Sequence, residues 1–213
     1  MLKPILLTVL TAVSFHAHAN TSSDASCYSL QKRVRHLEKQ VINLEARELL
    51  KKQDVLPTDA IACKALDTRN AAIGTKCYTT RGALYERVEQ TTFNAAWKGP
   101  DGLLWGDHLG KASQKAAASL CINNFKSLPT IADFERGEAY GFREVLRDFD
   151  TYNLPRERPT YYDPRGAVRW YWTATQWPCD KTFAYEFVAV NSNPIASFHA
   201  PKEKTNSVRC VSR

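Results

Sequence analysis

From Leu30 the apolar residues fall at Leu30, Val34, Leu37, Val41 and Leu44, spaced four, three, four and three apart, with Lys, Arg, Glu and Gln filling most places between. This is the heptad seam of a self-associating helix rather than the broad apolar face of a helix buried on a domain. The spacing predicts a coiled-coil helix over residues 20–54, counting a small polar linker at residues 20–26 that supplies helix-capping residues. Continued to Lys52, the helix would be roughly 40 Å long at 1.5 Å per residue. The next core position is Glu48, so the seam is short, and a helix lying against the globular part is the alternative arrangement. Self-association through the five seam residues would give a dimer or a trimer, and Val alternating with Leu leans toward two strands. Cys27, at the start of the helix, is open to an interchain or an intrachain bridge.

Pro57 ends the helical pattern, and residues 55–76 read as a connecting segment. From Cys77 to Arg213 short apolar and aromatic runs alternate with Gly, Pro and Asn turns, and two helical stretches, 113–125 and 130–146, interrupt them. The second opens on Pro129-Thr130, with Thr130 as cap and Asp133 and Glu135 in its acidic first turn. Strands are predicted at 103–105, 169–175, 183–191, 196–199 and 207–211, the last three joined by short turns. The class is therefore α+β, with mostly antiparallel strands.

The first nineteen residues change the setting of all this. Lys3 precedes an apolar run at residues 5–15, and Ala17-His18-Ala19 offers a small-x-small cleavage site, so residues 1–19 read as a signal peptide. The run is too short to span a bilayer. The mature chain is then expected to be secreted, periplasmic or at the cell surface, where its six cysteines pair as disulfides.

Composition is ordinary for a globular protein, 44% apolar and 24% charged, and the formal charge of +7 makes the chain mildly basic. An exported chain without a dense Lys/Arg stripe is a poor match for nucleic acid, whereas an acidic polysaccharide or a protein surface suits it. Catalysis is disfavoured. Beyond the signal, His36, His108 and His199 sit in no nucleophile or zinc spacing, and the cysteines form no C-x-x-C pair. No cofactor or metal is expected; the Glu/Gln-Pro-Asn/Asp loop and Trp-Asn-Asp strand of a calcium-dependent sugar site are both missing from the sequence. Asp107-His108 reads as a solvated turn.

Aromatic residues and arginines concentrate between residues 140 and 187. Trp172, Tyr185 and Phe187 fall in predicted strands and read as core. The stretch 153–169 differs, carrying three prolines and four arginines around Tyr161-Tyr162. Arginine forks match carboxylates and sulfates, and tyrosine faces stack on sugar rings. Arg156, Arg158, Tyr161, Tyr162 and Arg165 are therefore the candidate contact surface for an acidic or sulfated glycan or a protein partner, against the plainer reading of a solvated loop whose tyrosines cover the core.

Taken in order, Gly102-Leu103-Leu104-Trp105, a helix ending in Ala117 to Cys121, Leu128-Pro129-Thr130, Tyr171-Trp172-Thr173, and Val208-Arg209-Cys210-Val211 resemble a bacterial family of C-type-lectin-like domains. The kind is that found at the C-terminus of the collagen-like adhesin Lcl. The family pattern runs GLxW, A-x-x-x-C, LPT, YWSS/T, VRCV, and the resemblance covers residues 99–213. It implies a C-type-lectin-like fold, an adhesive or ligand-binding role, and a bridge from Cys121 on the first helix to Cys210 on the terminal strand. Given that bridge, Cys63 with Cys77 is the local pairing, leaving Cys27 and Cys179. The chain departs from the family in having Phe125-Lys126-Ser127 where Asp-Trp-Arg is usual, and in its long Arg/Tyr-rich segment. The second function class is a structural or assembly component of a periplasmic or pilus-associated complex, acting through the N-terminal helix.

Overall fold

The computed structural model describes residues 23–52, 61–91, 94–124, 127–146, 169–189 and 197–213. Helix α1 spans Ser23–Lys51. Strands β1 (Ile61–Ala62), β2 (Lys76–Tyr78), β3 (Leu84–Thr91), β4 (Asn94–Lys98) and β5 (Leu104–Ala112) follow, then α2 (Gln114–Asn124) and α3 (Ile131–Tyr140). The chain closes with β6 (Arg169–Gln176), β7 (Phe183–Ala189), β8 (Ser197–Pro201) and β9 (Asn206–Ser212). The α+β class is as expected. One sheet carries all the described strands in the order β1-β2-β3-β4-β5-β9-β6-β7-β8. Only the β1/β2 and β6/β9 pairings are parallel.

The terminal strand β9 lies mid-sheet between β5 and β6 and is buried along its whole length. Both of its faces are covered, so polar Asn206, Ser207, Arg209 and Ser212 are buried along with Val208, Cys210 and Val211. On one face of the sheet, Trp105 packs at 5.4 Å from Phe134 and 5.0 Å from Phe142, and Phe134 stacks on Phe187 at 4.4 Å. A second cluster gathers Ala117, Cys121 and Leu128 around Trp172 and Cys210, and the Trp172 indole donates to the Ala112 carbonyl at 2.8 Å.

Three disulfides close the framework: Cys121–Cys210, Cys63–Cys77 and Cys27–Cys179. The first two are the expected pairs. The third settles the open one, because Cys27 bridges within the chain to the turn between β6 and β7 and is not an interchain link.

Several boundaries differ from the pattern reading. The second helix stops at Tyr140, where Gly141 takes a left-handed conformation (φ 77°), and a 3-10 turn over Phe142–Glu144 follows. This is the usual glycine cap of a helix end. At the start of that helix Thr130 and Asp133 form the full capping box. The β3/β4 hairpin lay inside a stretch with no strand prediction. On β3 Tyr85 and Arg87 are buried, and Arg87 lies against the Trp97 ring and donates to both Asp107 oxygens, at 3.3 and 3.1 Å. An inward arginine breaks the apolar alternation by which a strand is recognised. Asp107 and His108 consequently lie in β5, not in a turn. The connecting segment is also folded onto the domain, through the Cys63–Cys77 bridge and the Trp97 indole bonded to the Thr68 carbonyl.

Candidate functional site

Helix α1 does not stand free. Its Ile42 and Ala46 are buried, Leu49 and Leu50 pack on the main core, and the helix lies against α3. Of the two arrangements left open by the sequence, the helix lies on the domain, and it does so by a stripe other than the heptad seam. Arg35, Ile42, Ala46 and Leu49 face inward, about 130° around the helix from the seam at 100° per residue. Ala46 on α1 and Ala139 on α3 are both buried in the main core cluster. At its start α1 is anchored by Cys27–Cys179, and Tyr28 sits 6.0 Å from Trp177.

Along one flank of this packing a groove of about 280 Å³ remains open between α1, α3 and the turn before β3. Its polar lining is Lys39, Asn43 and Arg47 from α1, Arg81 from the turn, and Glu135 and Glu138 from α3. Lys39, Asn43 and Arg47 follow one another at intervals of four, which aligns them along one line of the helix. Glu135 and Glu138 do the same on α3 at an interval of three.

The two carboxylates have partners of their own outside the groove lining. Glu135 forms an ion pair with Arg35, whose guanidinium also lies over the Tyr185 ring at 5.6 Å. Glu138 forms one with Arg143. Burial pushes both carboxyl groups above the ordinary carboxylate range, opposed by Arg35 at Glu135 and by Arg143 at Glu138. Burial also pushes the Tyr185 hydroxyl up to about 12. Arg35 is shared between Glu135 and Glu38, and Arg143 is held by Glu138, so the lining sets the balance: Lys39, Arg47 and Arg81 against Glu135 and Glu138, an excess of one positive charge. None of the three cations makes an ion pair with another described residue, so the groove is net positive. A concave site with two arginine forks and an excess of positive charge suits a carboxylate or sulfate carried on a polar ligand.

The residues singled out from the sequence are placed as follows. Arg156, Arg158, Tyr161, Tyr162 and Arg165 lie outside the described residues, as do residues 1–19. Trp172, Tyr185 and Phe187 are core. On α1, Leu30 is 48% exposed, Val34 36%, Leu37 60% and Leu44 60%, while Val41 is half-buried. The seam is a face of the helix that the domain leaves uncovered. No short motif announces the groove, because its residues come from three separate segments; the available signal is the i, i+4 line of Lys39, Asn43 and Arg47.

No protein-family model, no curated protein and no solved structure matches the chain.

Proposed function

We propose that this is an exported binding protein in which a C-type-lectin-like domain recognises an acidic glycan, or an acidic patch on a surface protein, without calcium and without catalysis. The observation that carries this reading is the surplus positive charge of the α1/α3 groove. Arg47 and Arg81 grip a sulfate or carboxylate by their planar forks, Lys39 adds a point charge, and Asn43 is placed to hydrogen-bond a hydroxyl. The pairing of β5, which opens on the Leu104-Trp105 end of the GLxW-like run, with the terminal strand β9 supports the lectin-like reading. So does the staple from α2 to β9. Disulfides throughout and a signal-like N-terminus support export.

Sulfated, carboxylated and neutral oligosaccharides arrayed side by side test the reading. The mature chain is expected to retain the first two and release them as salt rises. Arg47→Ala with Arg81→Ala is expected to weaken retention by about 30- to 1,000-fold, at roughly 1–2 kcal/mol for each charge-assisted contact. Retention that is unchanged in the double variant, or equal for neutral sugars, would remove the groove from the account.

A second reading, an assembly component that docks through α1, draws support from the exposed seam.

A further inference from the structure

The seam is a feature the groove does not use. Of the large apolar side chains that stand exposed on the described surface, Leu30, Val34, Leu37 and Leu44 fall in one line along α1. An apolar line of this kind in water marks an interaction face. We infer that α1 pairs through this seam with α1 of a second copy, parallel and in register, to make a two-stranded coiled coil with both domains on its outside.

The charges beside the seam choose the partner and its direction. With Val34 and Val41 at the a positions and Leu30, Leu37 and Leu44 at the d positions, the g positions are Arg33, Gln40 and Arg47, and the e positions are Gln31, Glu38 and Glu45. In a parallel pair each g residue faces the e residue five further on in the other strand. Arg33 then meets Glu38 of the second copy, a carboxylate that also pairs with Arg35 of its own chain, and Gln40 meets its Glu45. Arg47 meets Lys52, a like-charge contact at the very end of α1, which stops at Lys51. An antiparallel pair would set e against e and g against g, bringing glutamates to glutamates and arginines to arginines. Val at a with Leu at d selects two strands.

The rest of the molecule is compatible with this pairing. The domain is docked about 130° around α1 from the seam, and Lys39 and Asn43 of the groove lie at least as far round, while Arg47 borders both the groove and the g flank of the seam. Lys39 and Asn43 of each groove stay clear of the dimer seam, and Arg47 stands at its edge. Cys27 is already joined to Cys179 of its own chain, so the assembly is non-covalent and depends on concentration. The inference stands on α1 alone and does not require the ligand reading.

Sedimentation of the mature chain over a range of concentrations tests it. The expected result is a mass that doubles as concentration rises, while Leu37→Lys holds the mass at one chain with the melting temperature the unaltered chain shows when diluted to a single copy. Arg33→Glu and Glu38→Arg each set like charges together and weaken self-pairing, but a mixture of the two variants restores both contacts and forms a mixed dimer. A one-chain mass at every concentration, a threefold mass, or a dimer indifferent to Leu37→Lys overturns the inference. A mixture that pairs no better than either variant alone overturns the parallel register.

Discussion

Replacing Cys121 and Cys210 together by alanine is expected to cost about 4–5 kcal/mol of stability, the chain-entropy value for a closed loop of this length. The two cysteines stand 89 residues apart and are fully buried. Removal of the bridge frees α2 from β9, and β9 is the strand through which the β5 side of the sheet is joined to the β6 side. A loss there is felt by both halves of the core. For a domain of this size the melting temperature should fall by roughly 10 °C or more. Thermal unfolding of the double variant under oxidising conditions measures it, and a drop below about 1 kcal/mol would mean that packing alone holds α2 to the sheet. The short Cys63–Cys77 loop, 14 residues in separation, should matter less, at about 3 kcal/mol.

Arg35→Ala is expected to be nearly as damaging, at about 3–5 kcal/mol, because it strips Glu135 of its counter-charge in a buried position. The Glu135 side chain is 4% exposed, and one of its oxygens has no hydrogen-bond partner among the described residues. The substitution also removes the guanidinium from the Tyr185 ring and loosens the helix that forms one wall of the groove. The pair Arg35→Met with Glu135→Leu replaces the buried ions by apolar groups of similar size and should recover most of the loss. The pH dependence has a definite sign. Burial raises the Glu135 carboxyl, so the folded state holds that proton to higher pH than the unfolded chain does. The protonated carboxyl's contribution to stability is complete below the ordinary carboxylate range and falls away as pH rises through the raised value. Glu135→Gln should flatten that part of the stability profile. If Arg35→Ala and the apolar pair were equally destabilising, the cost would come from lost packing volume instead of the unpaired charge.

Much of the fold is legible where residue type and burial agree. Thr130 and Asp133 mark the start of α3, and the runs from Tyr171 and from Val208 read as strands because both faces are covered. The pattern fails where a charged side chain is buried with a partner from elsewhere in the chain. Arg87 hides β3, since its place in the core depends on Trp97 and Asp107, and neither can be inferred from its neighbours. Arg35 hides the docked face of α1 in the same way, so that face looks polar and the seam looks like the only one. Gly141 ends α3 early although the apolar spacing runs on to Leu146, because the chain turns there into the Phe142 contacts with Trp105 and Phe134. The groove was least legible. It exists only because two helices distant in sequence pack side by side, and its charge is the balance of side chains drawn from both helices and the turn before β3.

The central claim, an anion-binding groove between α1 and α3, is tested most directly by adding a sulfated disaccharide to the isotopically labelled mature chain and following its amide and guanidinium NMR signals. The account predicts saturable shifts at Lys39, Asn43, Arg47, Arg81 and Glu138, reversed by salt and absent with the unsulfated sugar. Shifts confined to residues 156–165, or no shift at all, would contradict it.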